Sequence, residues 1–127
     1  MSDKDEMQIR QVIETAYIQG IHLEQSEEKV RSGFHPEFRM LVRNGDRIDK
    51  VGPEDFLRLV TERREKDPSF FEQPLAFEIP MIDVQDTAAV ARIELSRGGK
   101  HLFTDYQLLY KFGDQWRIAS KIFHAHA

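Results

Sequence analysis

The last fifty residues, from about Leu75 to His126, contain three turn signals set between runs rich in Val, Ile, Phe, Tyr and Leu. The signals are Gln85-Asp86, Gly98-Gly99 and Gly113-Asp114. Glycine tolerates the positive φ that two-residue hairpin turns require, so such breaks are typical of antiparallel hairpins. The stretch therefore predicts four successive strands. A sheet with one apolar face needs a cover, which the rest of the chain has to supply.

The turn at Gly98-Gly99 predicts a register in which Arg97 faces Lys100. Counting outward from that pair places Asp105 opposite Arg92 on the less apolar face, where an exposed ion pair contributes about 0.2–1 kcal/mol. The alternative is that Asp105 faces an apolar cavity. Burial would then raise its pKa, and the neutral acid could donate a hydrogen bond to a ligand oxygen. The ion pair is the first interpretation and the cavity the second.

Lys121 lies in the last predicted strand, and its relation to Asp105 depends on the register of the final hairpin. A two-residue turn at Gly113-Asp114 sets Phe112 opposite Gln115, which turns Lys121 to the face away from Asp105. Only a bulge in one of the two strands would bring Lys121 and Asp105 together. Both arrangements stay open at the level of the sequence.

The residues before the meander read as helices with a small hairpin between them. Apolar side chains recur at helical spacing over about Asp3 to Leu23, which predicts a first helix that covers the sheet. Ser26 predicts the start of a second, short helix, and Gly33 predicts its end. His35-Pro36 then marks a turn, because the residue before proline is pushed towards extended conformations.

A strand over Phe38 to Val42 and a returning arm over Arg47 to Val51 flank Asn44-Gly45, a strong hairpin signal. Gly52-Pro53 predicts the start of a third helix, since proline is tolerated in the first helical turn. We expect that helix to end near Lys66 to Pro68. The following segment, Asp67 to Pro74, is predicted to be an irregular loop whose two phenylalanines, Phe70 and Phe71, tuck under the domain or against a subunit.

Composition narrows the class of protein. The chain has 127 residues and no cysteine, which predicts one domain over 1–127 and excludes disulfides and thiolate catalysis. No apolar run approaches the roughly 20 residues of a membrane span, and the first residues lack a signal-peptide pattern. A cytoplasmic protein with no membrane partner is therefore expected. Acidic and basic residues are interspersed without a basic stripe, which argues against a nucleic-acid partner.

The order of helix, short helix, hairpin, helix and four-strand meander resembles the NTF2-like, or SnoaL-like, α+β cone. Two stretches carry the closer resemblance, AYIQGIHLEQSEEKVRSGFHPEFRML over 16–41 and FTDYQLLYKFGDQWRIASKIFH over 103–124. They are similar to the small bacterial NTF2-like proteins named for lumazine binding. The resemblance covers nearly the whole chain. It implies a strongly curved antiparallel sheet around a cavity, helices across the mouth, and pairing of two copies through the outer sheet face.

The resemblance also suggests site residues. NTF2-like isomerases use a tyrosine on the first helix, a carboxylate base near the end of the first strand and a protonated carboxyl in the meander. Tyr17 resembles the first of these and Asp105 is a candidate for the third, but Val42-Arg43 stands where the base should be. His35 is a weak candidate for a base. We expect the cavity to be lined by Tyr17, Phe38, Met40, Asp105, Lys121 and Phe123.

Five histidines raise the question of a metal site. His124 and His126 share one face of the last strand, but a site needs three or four ligands, and no third residue has motif spacing. We therefore interpret this end as a frayed, solvated terminus and predict no metal and no cofactor. His22 falls at the end of the first helix, where a partial positive charge suits the helix dipole without any further role.

Three functions compete at this level. The first is a homodimeric cone that binds a small, partly apolar molecule. The second is an isomerase or dehydratase in which Tyr17 and Asp105 donate hydrogen bonds and His35 or water acts as base. The third is an interaction module whose outer sheet face binds another protein, because apolar residues on both faces of the last strand need a cover.

Overall fold

Residues 2–127 are described by a computed structural model, in which helices pack on one face of a six-stranded sheet. This is the predicted α+β architecture. The elements in chain order are α1 (Ser2–Val12), a π-helical segment (Ile13–Leu23), α2 (Glu27–Gly33), β1 (Phe34–Asn44), β2 (Arg47–Val51), α3 (Pro53–Lys66), α4 (Pro68–Glu72), β3 (Leu75–Gln85), β4 (Ala88–Arg97), β5 (Lys100–Phe112) and β6 (Gln115–Ala125). None of the helices in these residues is long and apolar enough to cross a bilayer.

The sheet has the strand order β2-β1-β6-β5-β4-β3, and every neighbouring pair is antiparallel except β1 and β6. The four-strand meander is confirmed as β3 to β6. Its three turns lie where the sequence predicts them, with positive φ at Asp86 (53°), Gly98 (59°), Gly99 (80°) and Gly113 (61°). Arg97 pairs with Lys100 as expected.

The pairing of β3 with β4 shifts between Glu78 and Met81, and two further bulges, in β5 and β6, change the register that the turns alone predict for the site. In β5, Leu102 is an extra residue, because Ser96 pairs with His101 and Leu95 with Phe103. In β6, Ala119 is an extra residue between Ile118 and Ser120. Each bulge shifts the rest of its strand by one position, and a shift of one exchanges the two faces of a strand.

The predicted ion pair between Arg92 and Asp105 is therefore wrong. Asp105 pairs with Ile93 and lies on the concave face, completely buried. Arg92 lies on the opposite, convex face, where its Nε is 3.3 Å from Oε2 of Glu94. A single extra residue near the Gly98-Gly99 turn is enough to move the carboxylate from solvent into the core.

The N-terminal helix covers the concave face, as expected, but its second half is wider than an α-helix. From Ile13 to Leu23 the backbone forms a π-helix, in which N–H groups bond five residues back; the amide of Glu24 donates to the Gln19 carbonyl at 2.8 Å. Its buried apolar residues form the core together with Ile9 of α1 and with buried residues of α2, α3 and the strands. Near the start of α1, Asp5 accepts from Lys111 Nζ (3.1 Å) and Trp116 Nε1 (3.0 Å), which ties the helix to the sheet.

The short helix α2 is confirmed, with the Ser26 hydroxyl accepting from the Lys29 amide at its start. Gly33, its last residue, also fills a packing role. A Cβ at this position would lie 2.4 Å from the Ala16 side chain, so α2 approaches the π-helical segment more closely than any larger residue allows.

Two predicted loops are regular structure. The strand β1 begins at Phe34, so His35-Pro36 lies within the strand instead of forming a turn before it. The segment after α3 contains the short helix α4, capped by the Asp67 side chain, which accepts from the Phe70 amide at 3.3 Å. Phe71 packs against the core, and the guanidinium of Arg97 lies 4.9 Å from its ring centroid.

Candidate functional site

A cavity of about 260 Å³ lies between the π-helical segment, α3 and the concave face of the sheet. Most of its lining is apolar or aromatic, with three polar side chains among them. Leu59 and Arg63 of α3 are exposed and stand at its rim. The lining residues are Tyr17, His22, Met40, Val42, Phe56, Leu59, Val60, Arg63, Phe103, Lys121 and Phe123.

Lys121 is the central cation of this cavity and is only 4% exposed. Its Nζ lies 4.4 Å from the ring centroid of Phe123, 5.0 Å from that of Phe56 and 5.3 Å from that of Tyr17, within the range of cation–π attraction. Nζ also donates to the sulfur of Met40 at 3.6 Å. The ammonium group is therefore held among aromatic rings and a thioether.

Asp105 is fully buried and is not among the residues that line the cavity, where the sequence placed it, but it anchors Lys121 from behind the lining. Its Oδ1 lies 3.3 Å from Lys121 Nζ, and its Oδ2 accepts a short hydrogen bond from the Tyr17 hydroxyl. The bulge at Ala119 makes this possible, because Lys121 pairs with Gln107 and so lies on the same face as Asp105. The sequence left this arrangement open, and the structure resolves it in favour of the bulged register.

Burial sets the proton affinities of all three groups. Burial raises the pKa of Asp105, and the nearby Lys121 charge and the Tyr17 hydrogen bond partly offset this rise. It lowers the pKa of Lys121, against the attraction of Asp105. Burial and then the Asp105 charge raise the pKa of Tyr17 well above its usual range, so the phenol keeps its proton. Tyr17 and Lys121 both direct hydrogens at Asp105, which therefore accepts hydrogen bonds instead of donating them to a ligand.

His22 is the buried polar residue of the cavity lining that the sequence did not indicate. It follows Tyr17 by five residues, a spacing that does not share a face in an α-helix. The π-helical hydrogen bonding, which links residues five apart, places the two rings edge to face with centroids 4.8 Å apart. Nε2 of His22 is shielded from solvent and has no hydrogen-bond partner among residues 2–127.

The interpretation of His22 as a partial positive charge that suits the end of the helix dipole is wrong. Desolvation, followed by the charges of Lys121, Arg97 and Arg63, lowers this pKa to about 3. The imidazole is consequently neutral at neutral pH and does not supply a positive charge to the helix end. Because a neutral imidazole carries one donor and one acceptor nitrogen, His22 can offer a hydrogen bond to a molecule in the cavity.

The remaining predicted residues divide between the cavity and other places. Met40 and Phe123 line the cavity with Tyr17 and Lys121. Phe38 does not; it is fully buried and stacks on Phe56 at 6.4 Å, behind the cavity wall. His35 is not part of this site. Its ring packs 4.9 Å from that of Phe112, and its Nδ1 accepts from the Glu37 amide.

Gln107 is a second polar residue that the sequence did not indicate. It is fully buried on the concave face, two residues from Asp105 and opposite Lys121. Neither its amide nitrogen nor its amide oxygen has a hydrogen-bond partner in the described part of the chain. A buried amide without hydrogen-bond partners lowers the free energy of unfolding. A bound ligand or a water molecule that bonded to Gln107 would offset this loss.

The C-terminal histidines are ordered, in contrast to the frayed end expected from the sequence. The strand β6 extends to Ala125, and the amide of His126 donates to the Leu102 carbonyl at 2.8 Å. The rings of His126 and His101 stack with centroids 3.9 Å apart. His101, distant in sequence, is therefore a direct neighbour of this end of the sheet.

Solved structures share this fold at low sequence identity. An NTF2-like protein of unknown function from Shewanella baltica is 23% identical, with 100% of this chain and 98% of that chain covered and a TM-score of 0.78. One from Methylobacillus flagellatus is 26% identical, with 98% and 94% covered and a TM-score of 0.72. A domain with a cystatin-like fold from Nostoc punctiforme is 13% identical, with 98% and 78% covered and a TM-score of 0.69.

No curated protein matches the chain. The sequence model of one family, described as "Putative lumazine-binding", matches residues 4–124. The sequence resemblance and the cone architecture point to the same group. Because the match extends over nearly the whole chain, the protein belongs to the "Putative lumazine-binding" family of NTF2-like proteins.

Proposed function

We propose that the protein binds a small, partly apolar molecule in the cone cavity. The observation that carries this proposal is the placement of Lys121 among three aromatic rings, with Asp105 and Tyr17 fixing its position. A lysine ammonium has three hydrogens, and among residues 2–127 only Asp105 and the Met40 sulfur lie close to it as acceptors. One hydrogen remains for an acceptor atom of a bound molecule.

The size of the cavity selects among ligand classes. Its volume of about 260 Å³ lies just below the roughly 300–1,000 Å³ typical of sites for drug-sized ligands. A molecule of one or two rings suits this space better than a steroid or a flavin. Flat rings also suit the aromatic lining, because Tyr17, Phe56, Phe103 and Phe123 offer stacking surfaces.

The charges of the cavity favour a ligand with acceptor oxygens or a weakly acidic ring. Lys121 lies inside, Arg63 stands at the rim, and Asp105 is already engaged by Tyr17 and Lys121. Nε2 of His22 adds a neutral polar group that is free to bond. Lumazine, the bicyclic dione for which the family is named, has this combination of flat rings, carbonyl oxygens and acidic ring N–H groups. It is the first ligand to test.

The test is titration calorimetry with lumazine, followed by a thermal-shift screen of pterins, flavins, steroids and polyketide-like compounds. We expect lumazine or a compound of similar size to bind and to raise the melting temperature, and steroids not to bind. The variant Val42→Trp should abolish binding by filling the cavity, while Met7→Trp, at an exposed position on α1, should not. Absence of binding by every compound in the screen would contradict the proposal.

A second pair of variants tests the polar part of the proposal. Arg63→Ala removes the cation at the rim and should weaken binding of an acidic ring about threefold to tenfold. Arg58→Ala is the matched control, because Arg58 lies on the same helix but pairs with Asp55 away from the cavity. Equal affinities for the two variants would show that the rim charge has no part in recognition.

Isomerase or dehydratase chemistry needs a base in the cavity. His35, the candidate from the sequence, packs against Phe112 outside it. His22 is inside the cavity, but a pKa of about 3 makes it a weak base at neutral pH. Binding without turnover is therefore the function we favour. Turnover of simple enones that His22→Gln abolishes would establish the enzymatic alternative instead.

We also infer that the protein is a homodimer through the convex face of the sheet. This face exposes large apolar side chains, among them Leu108 at 50% and Tyr110 at 55%, and the others are Met81, Tyr106, Phe112 and Ile122. A continuous apolar surface of this kind needs a partner. A second copy of the chain is the occupant that the family resemblance implies.

Light scattering on the purified protein tests the dimer. We expect twice the chain mass for the wild type and a monomer for Leu108→Glu, because the new carboxylate would be buried without a partner. Met7→Glu, which changes an exposed apolar residue on α1, is the control and should stay dimeric. A monomeric wild type would contradict the inference and leave this face free for another protein.

A further inference from the structure

A second cluster of polar side chains lies on the convex face, at the edge where β4, β5 and β6 meet. Glu94 lies in β4, His101 in β5 and His126 directly after the end of β6, and one nitrogen or oxygen of each lies within 4.8 Å of the others. The closest pair, His101 Nε2 and Glu94 Oε1, is 2.9 Å apart. Two imidazoles and a carboxylate are a common ligand set for first-row transition metals.

The backbone holds these residues in place before any ligand binds. The Gly98-Gly99 turn places His101 opposite Ser96, on the face of Glu94, and the bulge at Leu102 places Thr104 opposite Glu94. The Leu102 carbonyl then accepts from the His126 amide at 2.8 Å, which holds the third residue at the end of β6. The backbone of the cluster is therefore fixed by paired strands and by this bond. The rings of His101 and His126, which stack 3.9 Å apart, would turn about their side-chain bonds so that one metal lies in both ring planes.

The hydrogen bonds around the cluster orient its side chains. Thr104 donates its hydroxyl proton to Oε1 of Glu94 at 2.6 Å, so His126 Nε2 must donate to the Thr104 oxygen, at 2.9 Å. Arg92 engages the other carboxylate oxygen, Oε2, at 3.3 Å. Glu94 thus directs Oε1 towards the two imidazoles, while Thr104 and Arg92 act as the outer partners that orient metal ligands in proteins.

We propose that Glu94 Oε1, His101 Nε2 and His126 Nε2 bind one divalent first-row transition cation, with Zn²⁺ as the best fit. Ligand distances of about 2.0–2.2 Å around Zn²⁺ put tetrahedral ligand atoms roughly 3.3 Å apart. The closest pair in the cluster is 2.9 Å apart, and all three ligand atoms lie within 4.8 Å of one another, so small side-chain movements would complete the site. In the metal-free chain the proton of each imidazole is on Nε2, where it bonds Thr104 or Glu94. Metal binding would move this proton to Nδ1 and replace these two hydrogen bonds by bonds from Nε2 to the metal. Three protein ligands leave at least one position open to water or another molecule.

This site is separate from the cavity. Its residues lie on the convex face, whereas Lys121 and Asp105 face the helices, so the proposal does not depend on the small-molecule function. The two C-terminal histidines, His124 and His126, do not make up the proposed site by themselves. His124 lies beside His126, with ring centroids 4.9 Å apart, but it is outside the set whose ligand atoms converge.

Calorimetric titration of the metal-free full chain with Zn²⁺ tests the proposal, with Co²⁺ absorption spectra as a second readout. We expect one Zn²⁺ per chain and no binding of Mg²⁺, which prefers oxygen ligands. His101→Ala, His126→Ala and Glu94→Gln should each weaken Zn²⁺ binding at least tenfold, and Thr104→Val about tenfold. His35→Ala is the matched control for loss of a histidine and should leave the affinity unchanged.

Circular dichroism of each variant separates loss of ligands from loss of fold; all the substituted residues are at least partly exposed, so we expect native spectra. Three results would overturn the proposal. They are no Zn²⁺ binding up to millimolar concentration, an equal loss of affinity in His35→Ala, and loss in His124→Ala without loss in His101→Ala. The last result would place the metal on the C-terminal histidines alone.

Discussion

The two faces of the sheet each carry a carboxylate and a cation at the same separation, in very different surroundings. Asp105 and Lys121 lie 3.3 Å apart on the concave face, with side-chain exposures of 0% and 5%. Glu94 and Arg92 lie 3.3 Å apart on the convex face, with exposures of 24% and 40%. Distance alone therefore cannot rank the two pairs. Burial strengthens the attraction of the inner pair and also raises the cost of losing one partner.

This difference in burial corresponds to the two binding functions proposed for the two faces, a small molecule on the concave face and a metal ion on the convex face. The inner pair is fixed by the Tyr17 hydrogen bond and by rings around the ammonium, so it presents one polar group in one position to a bound molecule. The outer pair shares Glu94 with Thr104 and His101. Because solvent can replace its contacts at little cost, the outer carboxylate can exchange hydrogen-bond donors for a cation.

The comparison predicts its largest effect for Lys121→Met. Removal of the ammonium leaves Asp105 buried without its partner, which should lower the free energy of unfolding by about 3–5 kcal/mol. Arg92→Met, the matched change on the convex face, should cost no more than about 1 kcal/mol. Urea denaturation of both variants measures the difference. Similar costs for the two would show that burial does not separate the pairs.

The double variant Asp105→Leu/Lys121→Met sharpens the same comparison. Replacement of both members of a buried pair by apolar residues is often neutral or stabilising. We expect the double variant to recover most of the stability lost in Lys121→Met and to come within about 1 kcal/mol of the wild type. The remaining deficit corresponds to the lost Tyr17 hydrogen bond. A double variant as unstable as Lys121→Met would mean that packing around the side chains, and not the charge, carries the cost.

The next effect concerns the dependence of stability on pH. The folded state holds His22 at a pKa of about 3, below the ordinary 6.5, so the unfolded state binds the proton first as the pH falls. Stability from this group is present above pH 6.5 and is lost between 6.5 and about 3, with a slope of up to about 1.4 kcal/mol per pH unit. His22→Gln should flatten that part of the profile.

Denaturation of the wild type and of His22→Gln at pH 7, 5.5 and 4 measures this slope, and an NMR titration locates the His22 pKa directly. His35→Gln is the control, because its ring lies outside the cavity. An NMR pKa near 6.5 for His22 would contradict the arrangement around the cavity, since it would require an imidazole that solvent reaches freely.

The smallest expected effect is that of Gln107→Leu. The buried amide has no partner in residues 2–127, so an apolar residue of similar shape should raise the free energy of unfolding by up to about 1 kcal/mol. Gln115→Leu, at an exposed position in β6, is the control. A clear loss of stability in Gln107→Leu would show that the amide is satisfied after all, for instance by a bound molecule or an internal water.

The sequence predicts the strands, turns and helices of this chain well because their signals are local. Gly98-Gly99 and Gly113-Asp114 form the turns predicted for them, and Ser26 caps α2 as expected. The predicted start of α3 at Pro53 also agrees with the structure. Each of these features depends on residues next to one another in the chain, so composition and spacing are sufficient to locate it.

The site was only partly predictable because three non-local features control it. The bulge at Leu102 and the bulge at Ala119 carry no turn residues, and they decide the face on which Asp105 and Lys121 lie. The π-helical hydrogen bonding that brings His22 beside Tyr17 is likewise invisible in a pattern read at 3.6 residues per turn. Tyr17, Met40 and Lys121 were predicted from the fold resemblance, whereas His22 had no signal.

The polarity of the cone depends on how the strand accommodates Ala119, as well as on side-chain identity. Because Ala119 is skipped in the pairing, Ser120 lies opposite Leu108 and Lys121 opposite Gln107. If Ala119 instead paired with Leu108, every later side chain of β6 would exchange faces: the ammonium would point to solvent, and Ile122 would enter the cone beside Asp105. Deletion of Ala119 would remove the bulge and keep Lys121 inside, so a one-residue insertion in this strand preserves the charged interior only where a bulge absorbs it.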